Sequence, residues 1–194
     1  MIILGMTGSI GTGKSTTAKM FAARGIPVND ADQVVHDLYE GEAAPLVEAA
    51  FPGSTHNGVV DRARLGRILV DNPEGFKRLE AIVHPLVRQK EKAFLTRHRD
   101  LGTAAVLLDI PLLFETGASD RVDHIVVVSC DPETQRQRVL QRPGMSEEKF
   151  AAILARQVPD AEKRKRADFI IETDEGLEAA EAQVDAVLAA LDLI

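Results

Sequence analysis

A single cysteine, Cys130, in 194 residues leaves no internal disulfide framework and no cysteine-rich zinc site. No apolar run is long enough to span a bilayer. The start, Met-Ile-Ile-Leu-Gly, lacks the basic region, long apolar stretch and cleavage site of a secretory leader. Basic residues are also in deficit, with 23 Lys and Arg against 30 Asp and Glu, a formal net charge of −7. General nucleic-acid affinity needs a basic footprint and is not expected. These absences point to a soluble cytoplasmic protein with neither nucleic acid nor membrane as a partner. They also set a problem. The global field repels polyanions, so a phosphate site here has to be made by local features.

What is present suits a packed α/β domain. Hydrophobic residues make up 45% and charged residues 27%, enough for one sizeable core. Apolar runs at residues 2–6, 26–29, 104–110, 124–130 and 169–172 read as short buried strands. Helical patterns fill most of the gaps: 14–24, closed by Gly25, and an Ala-rich C-terminal stretch, 179–191. Val-, Ile- and Leu-rich strands separated by helices imply a parallel sheet of about five strands between two helical layers. Residues 33–103 give only helical signals and read as a helical insert; Pro85 argues against one straight helix there. A second, shorter insert covers 135–158.

The most specific motif is Gly8-Ser9-Ile10-Gly11-Thr12-Gly13-Lys14-Ser15, a full match to G-x-x-x-x-G-K-[ST]. It follows a strand and opens a helix, as its chemistry requires. Glycines let backbone N–H groups face a phosphate, and the helix N-terminus adds partial positive charge. Lys14 would reach the β- and γ-phosphates of ATP, and the Ser15 hydroxyl would ligate Mg²⁺. Gly8, Gly11, Thr12, Gly13 and Thr16 complete the nucleotide loop. Backbone dipoles of this kind can bind ATP on an acidic chain.

Other candidates are weaker. Asp30 and Asp32 follow the second strand, where ligands of parallel sheets bind, and either can serve as a proton acceptor or as a helix cap. Asp109 ends the third strand, where a carboxylate can help hold Mg²⁺, and Glu115 follows in the same loop. Arg138 and Arg142, spaced i, i+4, read as one face of a helix that can cover ATP, or as a solvated face. Lys163-Arg164-Lys165-Arg166 reads as an exposed helix. From the residues alone the competing readings are a P-loop small-molecule kinase and a non-enzymatic nucleotide switch. A guanine-reading Asn-Lys-x-Asp stretch is absent.

Taken in order, these segments resemble the dephospho-coenzyme A kinase family. The likeness rests on the loop from Thr7 to Thr16, on Asp30-Ala31-Asp32 with Val35, His36 and Leu38, and on Asp61-Arg62 with Leu65. It continues through Ile82-Val83-His84-Pro85-Leu86, Ile110-Pro111-Leu112-Leu113-Phe114-Glu115, Gln135 with Arg138 and Arg142, and Gln157 with Lys163, Ala167 and Asp168. The resemblance implies a three-layer P-loop fold in one domain, 1–194, with 33–103 binding the acceptor and 135–158 as a lid. It implies transfer of the ATP γ-phosphate to the ribose 3′-hydroxyl of dephospho-coenzyme A, with Mg²⁺, in a monomer or small homo-oligomer. Asp32 would be the base, and Lys14 and Arg142 would assist catalysis. Arg62, His84, Leu112 and Glu115 would meet the acceptor. Two places depart from the family pattern: Ile153, where many relatives have Arg, and Glu172-Thr173-Asp174-Glu175-Gly176, where many have Asn-x-Gly.

Overall fold

A computed structural model describes residues 1–70 and 72–194. In chain order its elements are β1 (Ile2–Gly8), α1 (Lys14–Ala23), β2 (Val28–Asp30), α2 (Ala31–Glu40), α3 (Ala43–Ala50), β3 (Thr55–His56), β4 (Val59–Val60), α4 (Arg62–Leu69) and α5 (Pro73–Asp100). Then follow β5 (Ala105–Asp109), β6 (His124–Ser129), α6 (Pro132–Leu140), α7 (Glu147–Leu154), α8 (Asp160–Lys165), β7 (Phe169–Glu172) and α9 (Leu177–Ala190). The chain divides into two compact units, Met1–Asn29 with Leu101–Ile194, and Asp30–Asp100.

The first unit is built on a parallel sheet in the order β2-β5-β1-β6-β7. β1 is central, pairing with β5 on one side and β6 on the other, so Met6 stands beside both Asp109 and Val126. Crossover helices cover a parallel sheet on both faces, which is why these strands are near-continuous apolar runs. All five residues of β5 are buried. Leu4, Met6, Phe21, Leu107, Val128, Ile171, Val184 and Leu188 form the core between sheet and helices. β2 begins two residues later than the apolar run suggests. Gly25, at φ 81, ends α1; its N–H donates to Ala22 O and that of Ile26 to Phe21 O. Ile26 is thereby used in a Schellman-type helix stop rather than in the sheet.

The second unit has its own core of Leu38, Tyr39, Val47, Phe51, Leu65, Leu69 and Val83. Two expectations are corrected here. The stretch is not wholly helical: β3 and β4 form an antiparallel hairpin around Asn57-Gly58. Asn57 (φ 51) and Gly58 (φ 78) supply the two positive angles of a type I′ turn. Pro85 does not end a helix either, since α5 runs unbroken for 28 residues. Pro85 and Ala81 are both exposed, so the carbonyl that loses its N–H donor can be hydrated. Meanwhile Ile82, Val83, Leu86 and Val87 anchor both halves of α5 to the core.

Candidate active site

Between the end of β1 at Gly8 and the start of α1 at Lys14, glycine is required three times. A Cβ on Gly8 would lie 2.6 Å from the Val128 carbonyl oxygen. Gly11, at φ 83, would put a Cβ 2.4 Å from Val139 Cγ2 on α6. Gly13, at φ 96, caps α1 without a side-chain hydrogen bond, and the first turn carries no acidic residue. No side chain caps α1, and although the Thr16 N–H donates to Gly13 O at 3.0 Å, the helix start at Lys14 and Ser15 can take an anion. Thr12 is buried and its hydroxyl donates to Ser9 O at 2.9 Å, pinning the loop from inside. Ser15 and Thr16 are exposed at the helix start.

Lys14 does not extend freely into solvent. Its ammonium donates to Asp109 Oδ1 at 2.5 Å, and its side chain is 13% exposed. Asp109 is fully buried at the end of β5. One buried carboxylate thus fixes where the Lys14 ammonium sits. Among the described residues no group of three or more His, Cys, Asp or Glu is placed to hold a metal. Ser15 and Asp109 are nevertheless a fitting donor set for Mg²⁺. Both offer hard oxygen ligands, and this ion commonly takes only one or two protein ligands beside phosphate and water.

Over the loop lies a cavity of about 360 Å³, whose walls include Gly13, Thr16, Arg138, Arg142, Thr173 and Leu177. Arg138 donates from Nη1 to Thr173 Oγ1 and from Nη2 to Thr173 O, both at 2.7 Å. Thr173 in turn donates to Thr12 O at 2.7 Å, tying the last strand to the loop. The pairing of Arg138 and Arg142 on one helical face is corrected. α6 ends at Leu140, and Arg142 lies in the turn beyond its cap, because the residue before Pro143 disfavours helical geometry. Both arginines still line the cavity, with Arg142 exposed. Thr173, Gly176 and Leu177 were not among the site residues expected from sequence. Their signal was the departure from Asn-x-Gly after β7.

Leu112 is 42% exposed in the loop after β5. Glu115 is turned inward: Oε1 accepts the Val158 N–H at 2.7 Å and lies 3.3 Å from Lys163 Nζ. Lys163 is fully buried, which corrects the reading of residues 163–166 as an exposed run. Of its neighbours, Arg164 pairs with Glu172, and Arg166 stacks over Phe114 at 4.1 Å. Burial pushes the Cys130 thiol up to about 11, next to Gly11 O.

In the second unit, Asp30 is the N-cap of α2. Its Oδ1 accepts the N–H groups of Asp32 at 2.9 Å and Gln33 at 3.1 Å. Asp32 is exposed in the first helical turn. The Arg62 guanidinium lies 5.4 Å from the centre of the Tyr39 ring, and burial raises the Tyr39 hydroxyl's pKa. His84 is exposed on α5.

A model of the dephospho-CoA kinase family matches residues 2–179. A curated dephospho-CoA kinase from Mesorhizobium japonicum is 65% identical over 188 residues, covering 97% of this chain and 95% of the relative. A solved structure from Thermus thermophilus superposes with a TM-score of 0.84 at 40% identity, covering 98% of this chain and 97% of that one. The structure of a dephospho-CoA kinase from Campylobacter jejuni gives a TM-score of 0.74 at 29% identity, covering 97% and 96%. On this agreement over nearly its whole length, the chain belongs to the dephospho-CoA kinase family.

Proposed function

We propose that the chain transfers the γ-phosphate of ATP to the ribose 3′-hydroxyl of dephospho-coenzyme A, releasing ADP and coenzyme A. The observation that carries this reading is the glycine-shaped loop with an open helix N-terminus behind it. Backbone donors and Lys14 hold the phosphate chain, while the cavity beside Thr173 and Leu177 takes the nucleoside end. Asp32 accepts the proton of the 3′-hydroxyl as its oxygen attacks the γ-phosphorus and the bond to the ADP oxygen breaks. Chain continuity favours this choice: Asp32 stands two residues past the end of β2, and strand ends of this kind are where parallel sheets bind ligands. Asp30 is spent on the helix cap. Lys14 and Arg142 offset the charge that spreads over the moving phosphoryl oxygens. Mg²⁺, held by Ser15 and Asp109 together with the phosphates, would neutralise charge on the nucleotide when bound.

Residues 33–103 are read as the acceptor segment, offering Arg62 and His84, with Leu112 contributing from the loop after β5, whereas Glu115, expected beside the acceptor, is turned inward onto Val158 and Lys163. Residues 135–158 are read as the lid. Of the described helices none is long and apolar enough to cross a membrane. A cytoplasmic monomer or small homo-oligomer suits this chemistry. The test is ADP release measured over a panel of acceptors with Mg²⁺-ATP. Dephospho-coenzyme A should be turned over far faster than adenosine, AMP or shikimate. Equal turnover of simple nucleosides would move the chain to another small-molecule kinase activity, and no acceptor-dependent ADP release would favour a nucleotide switch.

A further inference from the structure

Ile10, in the phosphate loop, has both of its peptide groups' polar atoms taken by glutamine side chains from the segment 135–158. Its N–H donates to Gln157 Oε1 at 3.1 Å. Its carbonyl accepts from Gln135 Nε2 at 2.7 Å. The backbone partners fix which amide end is which, since an N–H needs an oxygen and a C=O needs an N–H. The two glutamines come from different places, Gln135 from within α6 and Gln157 from the turn after α7. Gly11 makes the first approach possible, because a Cβ there would lie 3.1 Å from Gln135 O and 3.5 Å from Gln135 Cγ.

Gln157 is itself held by an arrangement with no evident packing benefit. The adjacent Val158 N–H donates to Glu115, and Glu115 faces the wholly buried Lys163. Burying such a pair is costly, and apolar residues of like volume often serve stability as well or better. Glu115 Oε2 and Lys163 Nζ are also buried without a hydrogen-bond partner. Such a pair is weak evidence for stability, and its contacts lead to Val158 and hence to Gln157.

We propose that Gln135 and Gln157 are positioning residues that clamp the Ile10 peptide and so set the phosphate loop for ATP, with the Glu115–Lys163 pair fixing the Gln157 side of the clamp. This rests on the ATP reading given above. It links loop geometry to both ends of the lid segment: a shift of α6 or of the turn at Gln157 moves the loop tip.

The clamp has polarity, and one substitution tests it at both positions. Gln157→Glu keeps an acceptor for the Ile10 N–H. Gln135→Glu removes the donor and sets a carboxylate against the Ile10 carbonyl. Both add the same charge beside the same residue, Ile10, so general repulsion of ATP is matched. ADP affinity is measured by calorimetry, steady-state KM for ATP and for the acceptor by ADP release, and the fold by melting. A neutral hydrogen bond is worth a few-fold to tenfold in binding. Gln157→Leu, Gln135→Leu and Gln135→Glu should each weaken ADP and raise the ATP KM about three- to tenfold, with the acceptor KM unchanged. Gln157→Glu should stay within about twofold of the parent. The proposal is overturned if Gln157→Glu is as impaired as Gln157→Leu, if Gln135→Glu matches the parent, or if both substrates' KM values move together. If a leucine variant does not fold, the contrast between the two glutamate variants still decides. A parent protein that binds no ADP would instead sink the ATP reading itself.

Discussion

The Asp30 carboxylate accepts the backbone N–H of Asp32 at 2.9 Å, so the first aspartate of Asp-Ala-Asp caps the helix that carries the second. This divides two roles that either residue could fill by type. Asp30→Asn should leave activity and melting near the parent values, since Asn caps about as well as Asp. Asp30→Ala should cost about 1 kcal/mol of stability.

Asp32→Asn makes the opposite prediction. It alters neither the cap nor the phosphate loop, so ADP affinity and melting temperature should hold. In the proposed reaction it removes the proton acceptor, and kcat should fall at least about a hundredfold. Single-turnover phosphoryl transfer on both asparagine variants checks the pair. Wild-type turnover by Asp32→Asn, or a dead Asp30→Asn, means the base is elsewhere.

Lys14 and Asp109 are coupled, so Lys14→Ala should lower stability as well as abolish turnover. It leaves a fully buried carboxylate without the cation 2.5 Å away, and removing one partner of a buried pair costs about 3 kcal/mol or more. The double variant Lys14→Met, Asp109→Asn should regain much of that stability and remain inactive. Thermal melting with an ADP-release assay separates the two effects. A Lys14→Ala protein that melts like the parent would show that the pair contributes nothing to the fold.

Much of this was legible in the sequence, and the illegible remainder has physical reasons. Parallel strands buried on both faces are plain apolar runs, which is why residues 124–130 and 169–172 gave β6 and β7 within a residue. The phosphate loop is legible because its glycines answer to local backbone geometry. The cavity is not, because Thr16, Arg138, Thr173 and Leu177 meet only through tertiary packing. Lys163 sits in a basic run that reads as solvated, and only its contact with Glu115 explains a buried lysine. The hairpin at Asn57-Gly58 had a signal, the Asn-Gly pair, but two-residue strands are too short to show alternation.

The two cavity arginines should respond differently. Arg138 is tied to Thr173, and through it to Thr12, so Arg138→Ala should weaken ADP binding and lower the melting temperature. Arg142 is exposed beyond the end of α6, and in the proposed reaction it meets charge that develops at the transition state. Arg142→Ala should therefore lower kcat more than it raises either KM. Arginines in such roles can be worth about 10³-fold. Steady-state kinetics that show no change for Arg142→Ala would assign it to a solvated surface.

Cys130 gives a prediction in pH. Burial raises its thiol from 9.0 to about 11, because the thiolate would lose its hydration against Gly11 and the strand end. The folded state therefore holds this proton more tightly than the unfolded chain does. The resulting stability is present in full below pH 9, the value for an open thiol, and is lost as pH rises through about 11. The complete loss is worth about 2–3 kcal/mol. Burial also raises the Tyr39 hydroxyl, which acts on stability in the same sense, so the parent protein alone cannot isolate the thiol. Cys130→Ala removes it while keeping a small apolar side chain. Melting temperatures of both proteins from pH 8 to 11.5 should run parallel up to about 9, after which the parent should fall more steeply. Curves that stay parallel throughout would show that Cys130 ionises as freely in the folded chain as in the open one.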